Sequence, residues 1–368
     1  MEIYLNKRAV VFCVLLLVIL SLLYSTTFHA PFNFDDEVVI KFEVAQKGAH
    51  DWFGKLYPPK YRHLFYSSLI FNYSKGQLNP FGYHLVNTSL HFFTSIVIFF
   101  IAFITIKKGL SLNKKEALSI AGITTLLFSI NPVHSETVNY ISARAVGLSS
   151  FFYLSALLSF ILGSFRERKP LPRFLLYVST LICFLASILS KETALTFPIV
   201  LLLYDVCFMR NDYWAPLKNR LLFFYLPLFL CAILAVLKIL SFKDLIVDFW
   251  QRIDVGYGLK QIQIIGHGAR LILLPIGLTF DYDFPNTFFA TNTLLITTFL
   301  FALGIILTIA LYFPKRLMLV SFCFFWFLIT LAPTNSIFPR ADLLSERNLY
   351  LPSFGILFLL AITIHRLV

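Results

Sequence analysis

Long apolar stretches alternate with short polar ones along the whole chain. A helix needs about 20 mostly apolar residues to cross the hydrocarbon of a bilayer. The alternation therefore predicts an all-α polytopic membrane protein, and we read residues 1–368 as a single membrane domain. The predicted spans cover residues 9–27, 85–106, 117–133, 146–164, 174–190, 193–209, 221–242, 292–313, 316–332 and 350–366.

One further run, 262–278, is interrupted by two glycines, a histidine and Arg270. If this run crossed fully, the acidic residues Asp281 and Asp283 would face the cytoplasm and the next basic pair would face outward. We therefore predict an interfacial or re-entrant helix that borders a cavity on the outer side, because irregular backbone at membrane depth needs protein or water around it. That arrangement leaves ten full spans, and an eleven-span arrangement is the alternative.

Charged residues indicate the orientation of these spans. Lysines and arginines concentrate in the short loops 107–116, 164–173 and 209–220, whereas most acids lie in the alternate loops. Cytoplasmic loops carry an excess of positive residues, so the pattern predicts a cytoplasmic N-terminus. The longest outer loop, 28–84, is expected to carry amphipathic helices that lie on the membrane.

Composition agrees with a membrane protein and narrows its partners. The chain is 58% hydrophobic and 14% charged, against about 25% charged in soluble domains, and its mean hydropathy is +0.78. The net charge of +12 is spread over topology-setting loops, so we predict the lipid bilayer and no nucleic acid as a partner. The five cysteines lie in or at the ends of apolar runs and indicate no disulfide framework.

Three consecutive acids, Asp35, Asp36 and Glu37, follow the first span. A carboxylate at a membrane-surface cavity can act as a general base on an acceptor hydroxyl. The alternative is structural: Asp35 or Asp36 caps the N-terminus of a helix that begins nearby. Spacing alone does not choose between these interpretations.

Four arginines, Arg62, Arg144, Arg270 and Arg347, lie in outer segments where the charge rule disfavours them. Guanidinium groups bind phosphate in a bidentate manner, so a cationic pocket for a lipid phosphate would account for all four. Arg62 could instead extend its charge toward lipid headgroups. Lys191 and Glu192 are adjacent in the sequence and lie between two predicted spans. They form either a local ion pair or part of the same cavity.

Polar residues near the second and third spans complete the set. His84 shares one helical face with Asn87 and His91, a face expected to point into the protein. His134 and Glu136 could relay a proton or ligate a metal ion, but the set is too small to predict a metal site. No cofactor is predicted, a divalent metal ion is left open, and no nucleotide-binding or zinc motif occurs in the sequence.

Several segments together resemble the TMTC family, the transmembrane and tetratricopeptide-repeat proteins of the GT-C glycosyltransferase superfamily. The resemblance implies a GT-C-like bundle of about 10–11 transmembrane helices. It also implies transfer of mannose, with inversion, from a polyprenyl-phosphate donor to protein Ser or Thr hydroxyls on the non-cytoplasmic side. The family's tetratricopeptide-repeat domain is absent from this chain. The segments that carry the resemblance are 61–64, 78–87, 131–136, 190–192 and 345–353.

The resemblance also assigns expected roles. One of Asp35 and Asp36 would be the catalytic base, while a second set of residues would bind the donor phosphate and substrate. The sequence departs from the family pattern at His63, where proline is usual, and at Ala143, where glycine is usual, so the substrate could differ. The expected binding residues are Arg62, His84, His134, Glu136, Arg144, Lys191, Glu192 and Arg347.

Partners and location follow from the same resemblance. The expected partners are a polyprenyl-phosphate-linked sugar and a protein or glycan acceptor, in the plasma membrane of a bacterium or the endoplasmic reticulum of a eukaryote. Two other functions remain as alternatives: a transporter or ligase of lipid-linked saccharides, and a non-catalytic membrane scaffold.

Overall fold

A computed structural model describes residues 7–44, 62–209, 255–284, 315–340 and 342–367, together with single positions between 220 and 237. The predicted spans 221–242 and 292–313 lie mostly or wholly outside these residues. The number of membrane crossings therefore stays a prediction.

Every predicted span within the described residues is helical. The same part of the chain contains no β-strand, which confirms the all-α polytopic class. The helices are α1 (Lys7–Leu23), α2 (Glu37–Val44, π-helical), α3 (His63–Gly76), α4 (Pro80–Ile104), α5 (Lys114–Ile130), α6 (Ser135–Asn139), α7 (Arg144–Gly163), α8 (Pro170–Ser190), α9 (Phe197–Phe208), α10 (Val255–Leu273), α11 (Lys315–Leu331) and α12 (Tyr350–Leu367).

Four helical segments of the described chain are long and apolar enough to cross a membrane: Pro80–Gly109, Ile141–Gly163, Pro170–Ser190 and Glu346–Leu367. The pair Lys114–Ile130 and Pro132–Asn139, bent by 52°, would make a fifth span if it crosses as one unit. Helices α1 and α11 are apolar but shorter. Helix α10 is not among the spanning candidates, and its predicted interfacial position is not tested by its length.

Sequence signals explain where the central helices begin. The side chain of Asn79 accepts a hydrogen bond from the backbone N–H of Phe81 at 3.1 Å, and Pro80 occupies the first turn of α4. Helix α5 begins with a reciprocal capping box between Asn113 and Glu116. Such caps satisfy backbone N–H groups that have no partner within the helix.

The helices form one packed bundle in which α4 contacts α5 and α7, α7 contacts α8, and α12 contacts α5 and α11. Close approach of α12 to α11 depends on Gly355, because a Cβ there would meet the carbonyl oxygen of Cys323 at 2.5 Å. Trp326 of α11 is fully buried at this contact. The bundle is therefore held together by tight contacts between consecutive helices and by the contact of α12 with α5, which is far from it in sequence.

One end of the bundle gathers the segments that carry the predicted site, and we call it the loop end. It comprises residues 28–36, the turns between α5 and α7, residues 274–284 after α10, and the turn Glu346–Leu349 before α12. In the first loop, α2 and α3 each bury one face, with Ile40 on α2 and Leu69 on α3. That one-sided burial fits the predicted amphipathic helices, whereas their contact with the membrane stays a prediction.

Candidate functional site

A cavity of about 420 Å³ opens at the loop end. It lies between the turn after α1, helix α6, the segment after α10 and the turn before α12. Its wall combines hydroxyls, amides, two carboxylates and three aromatic rings. The lining residues are Thr26, Thr27, Ala30, Asn33, Phe34, Ser135, Glu136, Asn139, Tyr140, Leu278, Thr279, Phe280 and Glu346.

The two candidate bases differ sharply in environment. Asp36 is buried, and its carboxylate accepts hydrogen bonds from the backbone N–H groups of Ile141 at 3.3 Å and Ser142 at 2.6 Å. Burial raises the pKa of Asp36, and the hydrogen bonds from Ser142 oppose that rise. Asp36 therefore acts as a cap, but on the turn that leads into α7 rather than on a helix near it in sequence.

Asp35 points the other way and is exposed. Its backbone N–H donates to the hydroxyl oxygen of Tyr140 at 3.1 Å, and Tyr140 lines the cavity. Burial raises the pKa of Tyr140, and the Asp35 carboxylate beside it raises that pKa further. Asp35 thus combines a solvent-accessible carboxylate with a fixed position at the edge of the cavity.

Arg347 contacts two of the lining residues, Glu136 and Tyr140. Its backbone N–H donates to the Glu136 carboxylate at 2.8 Å, and its Nη1 lies 3.5 Å from Glu136 Oε1. The guanidinium lies 5.6 Å from the centre of the Tyr140 ring, a cation–π contact, and its side chain is 24% exposed. Since both of these partners line the cavity, the cation of Arg347 is held next to the cavity lining, although Arg347 is not itself a lining residue.

Lys191 and Glu192 make their side-chain hydrogen bonds with other residues. Lys191 is buried and donates to Asn348 Oδ1 at 3.0 Å. Burial lowers the pKa of Lys191 to about 7, and the nearby cation Arg62 contributes to the lowering. Lys191 therefore lies beside the residue that follows Arg347, at the base of the same turn.

Arg62 pairs with Glu192 through two hydrogen bonds, 3.2 Å from Nε and 2.8 Å from Nη2. Burial alone would raise the pKa of Glu192, but the Arg62 guanidinium lowers it to about 2. This bidentate pair links the first loop to the turn after α8. The neutralised Arg62 is consequently a weaker candidate for phosphate binding than Arg347.

Arg144 is 1% exposed and lies away from the cavity lining. It donates to Asn72 Oδ1 at 2.6 Å, to Asn87 Oδ1 at 2.7 Å and to the Tyr83 carbonyl at 2.9 Å. A further bond of 3.2 Å reaches the carbonyl of Ser68. All three guanidinium nitrogens are therefore used to join α3, α4 and α7, and the predicted phosphate contact finds no support in this geometry.

The two predicted histidines are buried and support the site from behind. His84 donates from Nε2 to the carbonyl of Ala30 at 3.1 Å, and Ala30 lines the cavity. His134 lies with Nδ1 2.7 Å from the Phe128 carbonyl and Nε2 2.9 Å from the Ser353 hydroxyl. Neither ring lines the cavity, although both fix segments that do. Within the described residues, no group of three or more His, Cys, Asp or Glu side chains is arranged to hold a metal ion.

The segment after α10 contributes residues that the sequence did not single out. Arg270, Asp281 and Asp283 are exposed and do not line the cavity, whereas Thr279 and Phe280 between them do. Glu346, Tyr140 and Phe34 are also lining residues that were not predicted. The available sequence signal for Glu346 was its position directly before an outer arginine. Its burial could not be read from the sequence.

These observations define a multi-pass α-helical membrane protein with a cavity beside an exposed carboxylate, Asp35, and a partly exposed cation, Arg347. Known proteins were found that are similar to it. Protein O-mannosyl-transferase TMTC3 of Mus musculus is 26% identical over 337 residues, covering 82% of this chain and 35% of the relative. TMTC3 of Homo sapiens is 32% identical over 159 residues, covering 43% of this chain and 16% of the relative. Protein O-mannosyl-transferase F38B6.6 of Caenorhabditis elegans is 27% identical over 391 residues, covering 96% of this chain and 51% of the relative.

These matches confirm the resemblance to the TMTC family. The chain spans about a third of the mouse relative's length, 35%, and about half, 51%, of the nematode relative's. No family model matches the chain, and no solved structure shows a significant match.

Proposed function

We propose that this chain is a membrane glycosyltransferase that moves mannose from a polyprenyl-phosphate donor to a Ser or Thr hydroxyl of a protein, on the non-cytoplasmic side. The observation that carries the proposal is the cavity at the loop end, with the Asp35 backbone and the Arg347 guanidinium both in contact with its lining residue Tyr140. The printed names of the relatives, protein O-mannosyl-transferases, supply the sugar and the class of acceptor.

The proposed reaction is a single displacement. The acceptor oxygen attacks the anomeric carbon of the sugar, a new carbon–oxygen bond forms, and the bond from that carbon to the phosphate oxygen breaks. The lipid phosphate leaves with the bonding electron pair, and the proton of the acceptor hydroxyl passes to a carboxylate. Attack opposite the leaving group inverts the anomeric configuration.

Asp35 is the better candidate for the base. A general base must be within hydrogen-bond reach of the proton that it removes, and the exposed Asp35 carboxylate is accessible from the cavity mouth. The Asp36 carboxylate is already occupied by the backbone N–H groups of Ile141 and Ser142. In the proposal Asp36 positions Asp35 by fixing the loop to the start of α7.

Arg347 and Lys191 are assigned to the leaving phosphate. Fixed cations in a poorly hydrated site stabilise negative charge as it develops in the transition state. Arg347 keeps part of its surface exposed, and Lys191 donates to Asn348, the residue that follows it. Arg62 and Glu192 neutralise each other beside Lys191 and hold the turn that carries it.

Replacement of Asp35 by Asn tests the proposal, because the amide has similar size but cannot take up the proton. We expect transfer from polyprenyl-phosphate-mannose to an acceptor peptide to fall about 10²–10⁴-fold, the usual contribution of a general base. Thermal unfolding of the purified variant is expected to match the wild type, since the Asp35 side chain is exposed.

Glu37→Gln is the matched control, because Glu37 is an exposed neighbouring carboxylate that pairs with Lys41. It should transfer sugar at the wild-type rate. Wild-type activity in Asp35→Asn would contradict the assignment of the base. A wild-type protein that moves the lipid-linked saccharide across vesicles without transferring its sugar would favour the transporter alternative.

A further inference from the structure

We propose that the cavity at the loop end recognises the neutral sugar of the lipid-linked donor, and that Glu346 is the specificity-determining residue that binds the sugar hydroxyls. This inference rests on the proposed function and assigns the substrate's parts to different walls of the site. It is carried by the chemistry of the cavity lining, the geometry of Glu346 and the position of the aromatic rings.

The lining suits a neutral polyol better than an anion. It offers hydroxyls, side-chain amides and the carboxylates Glu136 and Glu346, and no lysine or arginine is among the described lining residues. A phosphate inside it would meet the Glu346 carboxylate, which has no cation partner among the described residues, and like charges in a partly desolvated site repel strongly. Sugar hydroxyls, in contrast, can donate to carboxylate oxygens and accept from hydroxyls.

Glu346 has unused acceptor capacity directed at this space. Its side chain is only 3% exposed and lines the cavity. Its Oε1 accepts from the Thr279 backbone N–H at 2.8 Å and from the Tyr282 hydroxyl at 2.6 Å. Oε2 takes none of the hydrogen bonds found among the described residues, and it is not one of the buried polar atoms that lack a partner there, so it stays accessible to a ligand. A sugar hydroxyl would supply a partner for it.

Three aromatic rings also line the cavity. Phe34 and Phe280 stack with centroids 4.3 Å apart and planes at 9°, and Tyr140 meets Phe280 edge-on at 5.2 Å. A pyranose ring presents C–H bonds on its face and hydroxyls around its edge, so it fits a site with apolar rings and a few polar groups.

Phe34 is 67% exposed despite its size and has a φ of +50°. Non-glycine residues rarely adopt this left-handed conformation, and strained residues of this kind are concentrated at ligand-binding and active sites. The conformation places the Phe34 ring on Phe280 at the cavity wall.

The location of the cavity indicates that its occupant is the donor's sugar and not an acceptor glycan. Asp35, the proposed base, contacts Tyr140, and Arg347, the proposed phosphate ligand, contacts Tyr140 and Glu136. The anomeric carbon must lie between the base and the phosphate during transfer. The volume between those groups is therefore where the donor's sugar ring belongs.

Two lipids separate sugar recognition from phosphate recognition. We would measure binding of polyprenyl-phosphate-mannose and of unglycosylated polyprenyl phosphate to the full chain in detergent, for wild type and Glu346→Gln. The glutamine keeps an oxygen for Thr279 and Tyr282 but replaces one carboxylate acceptor with a donor. We expect affinity for the mannosylated lipid to fall about ten- to hundredfold, the cost of a hydrogen bond to a charged group, with no change for the unglycosylated lipid.

Phe34→Leu is the second variant. Because Phe34 is exposed, this substitution should leave the fold intact and keeps the test possible if Glu346→Gln does not fold. It should lower only the affinity for the mannosylated lipid, by a smaller factor than Glu346→Gln. Glu37→Gln should leave both affinities unchanged. The inference would be overturned if either site variant lowered the affinity for both lipids equally, or if neither affinity fell. If selective weakening is found in a protein that transfers no mannose, the sugar site stands and the proposed transferase function fails.

Discussion

Arg144 and Arg347 both occupy outer segments where arginine is unexpected, yet the structure places them in opposite situations. Arg144 is 1% exposed, and its guanidinium is fully engaged by amides and carbonyls of α3 and α4. Arg347 is 24% exposed at the side chain and lies 3.5 Å from Glu136 and 3.6 Å from Asp342, distances that leave its hydrogen-bonding capacity largely free.

The difference shows how a cation becomes available to a ligand. A guanidinium surrounded by fixed protein acceptors is satisfied, and a phosphate could bind it only by displacing them. A guanidinium held by longer contacts at a cavity wall is positioned but can still donate. The same residue type therefore stabilises the fold at one position and faces the cavity at the other.

The largest expected effect concerns Arg144. Replacement by Met would leave the oxygens of Asn72, Asn87 and Tyr83 buried without their charged donor. Each such unpaired buried group lowers the free energy of unfolding by about 1–3 kcal/mol. We therefore expect the free energy of unfolding to fall by at least about 3 kcal/mol, and the apparent melting temperature in detergent to be much lower. A variant that melts like the wild type but no longer binds polyprenyl phosphate would instead give Arg144 the phosphate role.

The same substitution at Arg347 provides the contrast. Arg347→Met should melt within a few degrees of the wild type, since the residue is partly exposed and lies at the rim of the bundle. Its transfer rate should fall about 10²–10³-fold, the typical effect of removing one group that stabilises developing negative charge. Unaltered transfer by a folded Arg347→Met protein would remove the basis for placing the phosphate at this wall.

A smaller effect is expected from the pH dependence of Lys191, whose pKa is lowered to about 7 by burial and by Arg62. Above that pH the amine loses its proton and its charge, so its contribution to phosphate binding should decline. We expect affinity for unglycosylated polyprenyl phosphate to fall roughly tenfold between pH 6 and pH 8, relative to Lys191→Arg, whose guanidinium stays charged.

The arginine variant also reports the titration of the phosphate itself, which is why the ratio of the two affinities is the informative quantity. An identical pH dependence in both proteins would show that Lys191 does not contact the phosphate or does not change its charge in this range.

Much of the fold could be predicted from sequence because each predicted span is a local property. An apolar run such as 146–164 predicts its own helix, and α7 indeed occupies Arg144–Gly163. Caps such as Asn79 and Asn113 act on helices that begin within a few residues. Local signals also marked the outer acids and arginines as unusual.

The candidate site was only partly predictable, since its pairs join distant parts of the chain. Asp36 accepts a hydrogen bond from Ser142, which is 106 residues away. The backbone N–H of Arg347 donates to Glu136, which is 211 residues away. Thr279 and Phe280 enter the cavity from the segment after α10, where the charge pattern marked the exposed Asp281 and Asp283 instead, and Glu346 enters it from the turn before α12.

The sequence by itself determined that this is an all-α membrane protein that resembles the TMTC family, and it identified the residue types from which a site could be made. Only the tertiary structure decided that Asp36 is a cap while Asp35 is exposed at a cavity, and that Arg144 is buried while Arg347 borders it. The physical reason is that hydropathy and capping depend on neighbours along the chain. Whether a charged group is satisfied by the protein or left available to a ligand depends on groups that folding brings to it from elsewhere.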